Sequence, residues 1–227
     1  MVTANDLVIP AGEDVVLEVT SRDVIHSFGM PSIAGTRDAV PGRISALTIG
    51  ADRPGIYDGQ CKEFCGLSHA NMRARVVALP AEEFQTWLDQ QQQPARLPTD
   101  ELARAGQELF QTLPCAQCHQ VRGLNDPLEV DGDLLVAGHA APDLTHLMSR
   151  GVFASASFPL YGQNGEANRN VLEQWLRNPQ DTLPMDADAP PYRGMPDLNL
   201  TEEQIDQLVV YLQTLGPPPP LPDDERR

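Results

Sequence analysis

Cys61-Lys62-Glu63-Phe64-Cys65-Gly66-Leu67-Ser68-His69-Ala70-Asn71-Met72 is the stretch on which the reading of this chain turns. Two thiols stand four residues apart, an imidazole follows four later, and a thioether three after that. Sulfur with imidazole is a donor set for copper or zinc, not for magnesium or calcium. Residues along a strand alternate between faces, but a loop between two strands can bring Cys61, Cys65, His69 and Met72 to one point. Two cysteines on such a loop can bridge two copper ions, with one histidine for each. The second histidine then comes from elsewhere. His26 is the candidate, in Asp23-Val24-Ile25-His26-Ser27-Phe28 just after a predicted strand. Thiolate and neutral imidazole are the binding forms, so metal would also depress the cysteine pKa values. Taken singly, each residue has an ordinary alternative: a disulfide or mononuclear zinc pair for the cysteines, a packed histidine for His26, core for Met72.

A second cluster, Cys115-Ala116-Gln117-Cys118-His119, has the C-x-x-C-H spacing of covalent haem c attachment. Cys115 and Cys118 are spaced for two thioethers, with His119 as proximal iron ligand; without haem the motif reads as a thiol redox or zinc site. All four cysteines fall in these two clusters, so their use is chemical rather than scaffolding. Methionine is the favoured sixth ligand, because Met/His ligation raises the haem potential. Met148, Met185 and Met195 follow the motif, and His139 and His146 are the bis-histidine alternatives. Trp87 and Trp175 read as core rather than as electron relays.

Around the copper motif the chain reads as β. Val15–Thr20, Ile44–Ile49 and Arg73–Leu79 are short β-branched or alternating runs, with turns at Pro41-Gly42 and Pro54-Gly55. Such spacing predicts a sandwich or small barrel, closed by a short helix over Glu82–Asp89. Gln90-Gln91-Gln92-Gln93-Pro94 opens a polar linker. From Thr99 the pattern is helical, with Leu102, Ala105, Leu109 and Phe110 on one face. Residues 120–169 read mostly as loop, Val171–Leu176 as a short helix. Thr201 with Gln204 makes a capping box ahead of Ile205, Leu208, Val209, Leu212 and Leu215, and Gly216 ends the run. The expected plan is one domain over 1–89, a linker over 90–98, a second domain over 99–216 and a disordered tail over 217–227.

The chain's 227 residues suffice for two modest domains. Its net charge of −16 argues against nucleic acid, which needs a basic face. It suits a basic protein partner, or solubility alone. No apolar run approaches the roughly 18–20 residues of a membrane span, and no signal peptide is visible.

The segments DVIHSFGMP (23–31), DAVPGR (38–43), PGIYDGQC (54–61) and CKEFCGLSHANM (61–72) resemble the CuA domain of cytochrome c oxidase subunit II, over about Asn5 to Leu88. The resemblance implies an all-β cupredoxin-like sandwich. It implies a dinuclear copper centre held by the side chains of His26, Cys61, Cys65, His69 and Met72 and by the backbone carbonyl of Glu63. The Glu63 carboxylate would face subunit I, where it can ligate magnesium. Thr99 to Met195 and beyond resembles the class I cytochromes c, implying an all-α domain. Gly194-Met195-Pro196-Asp197-Leu198 matches that family's distal loop, so Met195 is preferred to Met185 in Leu183-Pro184-Met185. Pro142, in Ala141-Pro142-Asp143-Leu144, would orient His119 through its carbonyl.

Together the two resemble subunit II of oxidases that carry their own haem c. The implied role is electron transfer from an external donor through haem c and CuA to subunit I, where oxygen is reduced, on the periplasmic or outer face of a bacterial membrane. The family's two transmembrane helices and an aromatic-rich strand precede the segment near Asn5. The expectation is therefore a soluble fragment with an added Met1, whose membrane association lies in segments outside it. A subunit of a haem–copper nitric oxide reductase and a copper chaperone binding one copper are the alternatives.

Overall fold

The computed structural model describes residues 1–126, 128–130, 133–135, 141–185 and 194–220, with 128–130 and 133–135 described by their backbone alone. His139 and the tail from 221 lie outside the described residues. The chain divides into two compact units. The first is built from Asn5–Leu88 and Val152–Pro159, joined by Pro220, and the second from Met1–Ala4, Asp89–Gly151 and Leu160–Pro219.

Seven strands form the body of the first unit: β1 (Asp6–Pro10), β2 (Asp14–Val19), β3 (His26–Met30), β4 (Gly35–Ala39), β5 (Ser45–Gly50), β6 (Gly55–Cys61) and β7 (Arg73–Leu79). A five-stranded sheet in the order β1-β7-β6-β3-β4 faces the β2–β5 pair. Only β1 and β7 run parallel. The run Val76-Val77-Ala78-Leu79 is buried throughout because β7 is covered on both faces. Val76 and Ala78 enter the sandwich core with Ile9, Met30, Leu47 and Ile49. Val77 and Leu79 meet Trp87 beneath α1 (Ala81–Gln91), whose Phe84, Trp87 and Leu88 recur at helical spacing. Trp87 is thus core, as its sequence setting suggested. Gly59 lets β3 and β6 close up beside the Cys61–Met72 loop; a Cβ there would stand 2.1 Å from the Gly29 carbonyl.

The second half supplies α2 (Glu101–Thr112), α3 (Cys115–Cys118), the hairpin β8 (Leu128–Val130) and β9 (Asp133–Leu135), the hairpin β10 (Val152–Phe153) and β11 (Phe158–Pro159), and α4 (Arg169–Arg177), α5 (Pro179–Thr182) and α6 (Glu202–Leu212). Asp100 caps α2 by accepting from the Leu102 and Ala103 N–H groups. The Thr201–Gln204 capping box opens α6 as expected. The helices α2 and α6 cross at Gly106, where a Cβ would lie 2.0 Å from the Gln207 carbonyl, and Phe110 packs on Tyr211 with ring centroids 5.7 Å apart.

Two expectations need correction. The C-terminal half is not all-α: the Gly- and Asp-rich stretch, poor in helix formers, folds locally into the β8–β9 and β10–β11 hairpins. Nor do the glutamines behave as a free linker. Glutamine is a good helix former, and α1 runs on through Gln91. The buried Gln91 side chain donates to Ser149 Oγ at 2.8 Å. The Arg122 guanidinium holds the Gln91 and Gln92 carbonyls, His146 Nε2 donates to the Gln93 carbonyl at 2.9 Å, and Ala95 N–H donates to the Arg122 carbonyl.

Candidate copper and haem sites

Cys61 ends β6 and Met72 immediately precedes β7, so the ligand loop is the connection between two paired strands. Cys61 N–H donates to the Met72 carbonyl at 2.9 Å and closes the loop. Residues His69–Asn71 form a single helical turn entered through Ser68 in left-handed conformation, φ 60°. On the other side, Phe28 of β3 pairs with Cys61, and Lys62 N–H donates to the Ser27 carbonyl, which brings His26 against the loop.

The donor atoms converge. The ligand atoms of His26, Cys61 and Cys65 lie within 4.8 Å of one another. Cys65 Sγ is 3.9 Å from Cys61 Sγ, 3.5 Å from His69 Nδ1 and 3.9 Å from Met72 Sδ. The Cys61 thiol points at the Glu63 carbonyl, 3.2 Å away, while the Glu63 side chain is exposed. The four cysteines are thiols, not disulfides. His26 Nε2 is hydrogen-bonded to Asp23 Oδ1 at 2.8 Å, whereas Nδ1 is buried without a hydrogen-bond partner among the described residues. A buried polar atom left open is costly, and an open imidazole nitrogen beside two thiols is a metal-binding arrangement. Soft sulfur, imidazole and one carbonyl fit copper. Sequence reasoning missed Asp23. Burial pushes its carboxyl pKa up, but hydrogen bonds from His26, the Val24 backbone and Ser21 outweigh that and hold it below the ordinary value. An acid three residues before the histidine, in a turn that Ser21 also ties, was the available signal.

For the haem motif, α2 ends at Thr112 and Pro114 leads into α3, which presents both cysteines in one turn. His119 Nδ1 donates to the Pro142 carbonyl at 2.8 Å, so Nε2 is the nitrogen left for iron. Burial lowers the His119 pKa and keeps the ring neutral, the ligating form. Asn125 secures the turn by donating to the Ala116 and His119 carbonyls. Trp175 Nε1 donates to Met195 Sδ at 3.2 Å, so this tryptophan touches a candidate ligand as well as filling core. Gln180 joins the two methionines: its Nε2 donates to the Met195 carbonyl, and its Oε1 accepts from Met185 N–H. Met148 is buried; His146 Nε2 donates to the Gln93 carbonyl, while its Nδ1 is buried with no hydrogen-bond partner among the described residues.

The comparisons with known proteins agree along the chain. Residues 1–79 match the family described as cytochrome c oxidase subunit II, periplasmic domain, and residues 103–216 match cytochrome c. The chain belongs to the subunit II family of cytochrome c oxidase, with a cytochrome c domain attached. Cytochrome c oxidase subunit 2 of Alkalihalophilus pseudofirmus is 34% identical over 92% of this chain and 54% of its own length. That of Bacillus sp. strain PS3 is 32% identical over 95% and 56%. The chain thus spans about half the length of these subunit II relatives. The periplasmic domain of subunit II from Bradyrhizobium japonicum is 35% identical over 38% of this chain and 62% of that one, with a TM-score of 0.37. Membership in the two families implies copper and haem as the bound groups of this subunit II chain.

Proposed function

We propose that this chain carries electrons from an external donor protein to subunit I of a terminal oxidase that reduces oxygen to water, with covalent haem c and dinuclear CuA as its two carriers. The observation that carries this reading is the convergence of His26, Cys61 and Cys65 within 4.8 Å, with the buried His26 Nδ1 open toward a metal. When bound, each group supplies reversible one-electron storage.

The residues have separate tasks. Cys61 and Cys65, as thiolates, would hold the copper ions between them. His26 and His69 each offer Nδ1, Met72 its thioether and Glu63 its carbonyl. Asp23 fixes the His26 ring through Nε2. Cys115 and Cys118 would anchor the haem through thioethers, and His119 would ligate through Nε2, the tautomer set by the Pro142 carbonyl on Nδ1. Met195, whose sulfur accepts the Trp175 Nε1–H, would supply the thioether to the iron, with Met185 as the competitor. Phe64 and Leu67, 77% and 68% exposed on the copper loop, offer subunit I an apolar contact. Both carriers on one chain make the internal transfer independent of protein concentration. The place of action is the periplasmic or outer face of a bacterial membrane. No helix among the described residues is long and apolar enough to cross it.

One optical spectrum with metal analysis tests this. The expected result is thioether-linked haem together with two copper ions per chain and a mixed-valence copper spectrum. A single copper per chain without that spectrum would sink the proposal and favour a copper chaperone.

A further inference from the structure

Val152–Pro159 follows the haem motif in sequence yet belongs to the same compact unit as the copper loop. The strands β10 and β11 pair Val152 with Pro159 and Phe153 with Phe158, and the chain turns through Ala154, Ser155 and Ala156. These three have φ of 48°, 58° and 55°. None is glycine, so each sits in a disfavoured left-handed conformation, which persists only where the surroundings impose it.

The contacts that impose it lie on the copper loop. Arg73 N–H donates to the Ser155 carbonyl at 3.0 Å, and Ser157 Oγ donates to the Asn71 carbonyl at 2.7 Å. Asn71 and Arg73 are the two neighbours of Met72. The Met72 carbonyl accepts from Cys61 N–H, and its own N–H donates to the His69 carbonyl. The backbone of one ligand is therefore held on both flanks by a hairpin that contributes no ligand. Val152 and Phe153 are buried, and Phe153 packs on Phe158 at 5.7 Å, so the hairpin has its own anchor.

We propose that the Val152–Pro159 hairpin is a positioning element for the copper loop, fixing the backbone on both sides of Met72 and thereby the reach of its thioether. This rests on the dinuclear copper reading above. A thioether is the weakest donor of the set, and its distance tunes a copper potential. Positioning of this kind acts through the ligand rather than on the metal. Ser157 is the residue whose side chain reaches the loop.

The test uses the full chain with Ser157→Val and Ser157→Thr, which are alike in shape and differ in the hydroxyl. In the copper-free chain, Ser157→Val should speed amide exchange at Met72 and Arg73 by about fivefold or more, as one lost hydrogen bond predicts. In the copper-loaded chain it should raise the copper reduction potential and speed copper loss to a chelator by about tenfold. Ser157→Thr should restore all three. Two bound coppers with exchange, potential and copper loss unchanged in Ser157→Val would overturn the hairpin's role alone. A wild-type chain that never takes up two coppers would overturn it together with the reading it rests on.

Discussion

Asp23 shows how much a candidate ligand owes to a residue outside the donor set. Its carboxylate holds His26 Nε2 and leaves Nδ1 facing the thiols. Asp23→Ala should weaken copper retention about 10-fold, measured by competition with a chelator, and Asp23→Asn should lose less. For the haem, Met195→Ala should abolish the thioether–iron absorption of the oxidised chain and lower the haem potential. Met185→Ala should leave both in place; the reverse outcome would assign the ligand to Met185. His146 gives a pH prediction. Burial pushes its pKa below the ordinary value near 6.5, the Gln93 carbonyl acts the other way, and Arg122, Asp143 and Arg150 surround it. The folded form then takes up a proton less readily than the unfolded one. Its contribution to stability is complete above about pH 6.5 and is lost as the pH falls through the lower folded value. Denaturant midpoints of the second unit should drop between pH 7 and pH 5, and His146→Gln should flatten that slope. The candidate donors that the structure brings together, His26, Cys61, Cys65, His69 and Met72, stood out because soft donors at fixed spacing have few other uses. Trp175 and Gln180 did not, because Met195 stands 20 and 15 residues further along the chain, a separation that spacing does not reveal; Asp23, three residues before His26, was within reach of the sequence and overlooked.

Regular packing made some elements easy to read and others not. The strand β7 and the helix α6 repeat apolar residues with their own periods, and the capping box fixes where α6 begins. The strands β3, β4 and β6 read His-Ser-Phe-Gly-Met, Gly-Thr-Arg-Asp-Ala and Gly-Ile-Tyr-Asp-Gly-Gln-Cys, with glycines and polar groups where propensity expects β-branched residues. Cross-strand pairing and the need for close approach override propensity there. The crossing of α2 and α6 depends on Gly106, since any side chain would strike the Gln207 carbonyl and Tyr211. Gly106→Val should cost on the order of 1–3 kcal/mol, seen as a lower unfolding midpoint of the second unit with the copper site's spectrum unchanged.

The molecule's charge of −16 sets its dealings with partners. Association with a basic electron donor should slow as ionic strength rises, which stopped-flow haem reduction at increasing salt would measure. An unchanged rate would leave the charge to solubility alone. The two-part plan was legible from the two cysteine clusters and the change of period between them. The fate of the glutamines was not, because the side chains that bind them, Arg122, His146 and Ser149, stand far along the chain. The same is true of the β10–β11 hairpin, and here the order of synthesis matters. The first unit stays incomplete when Leu88 leaves the ribosome, since the hairpin that belongs to it ends at Pro159. At about 5–20 residues per second that piece arrives roughly 4–14 s later. Until then the metal loop is a nascent segment lacking its brace, and the haem-attachment cysteines emerge before the copper unit can be finished.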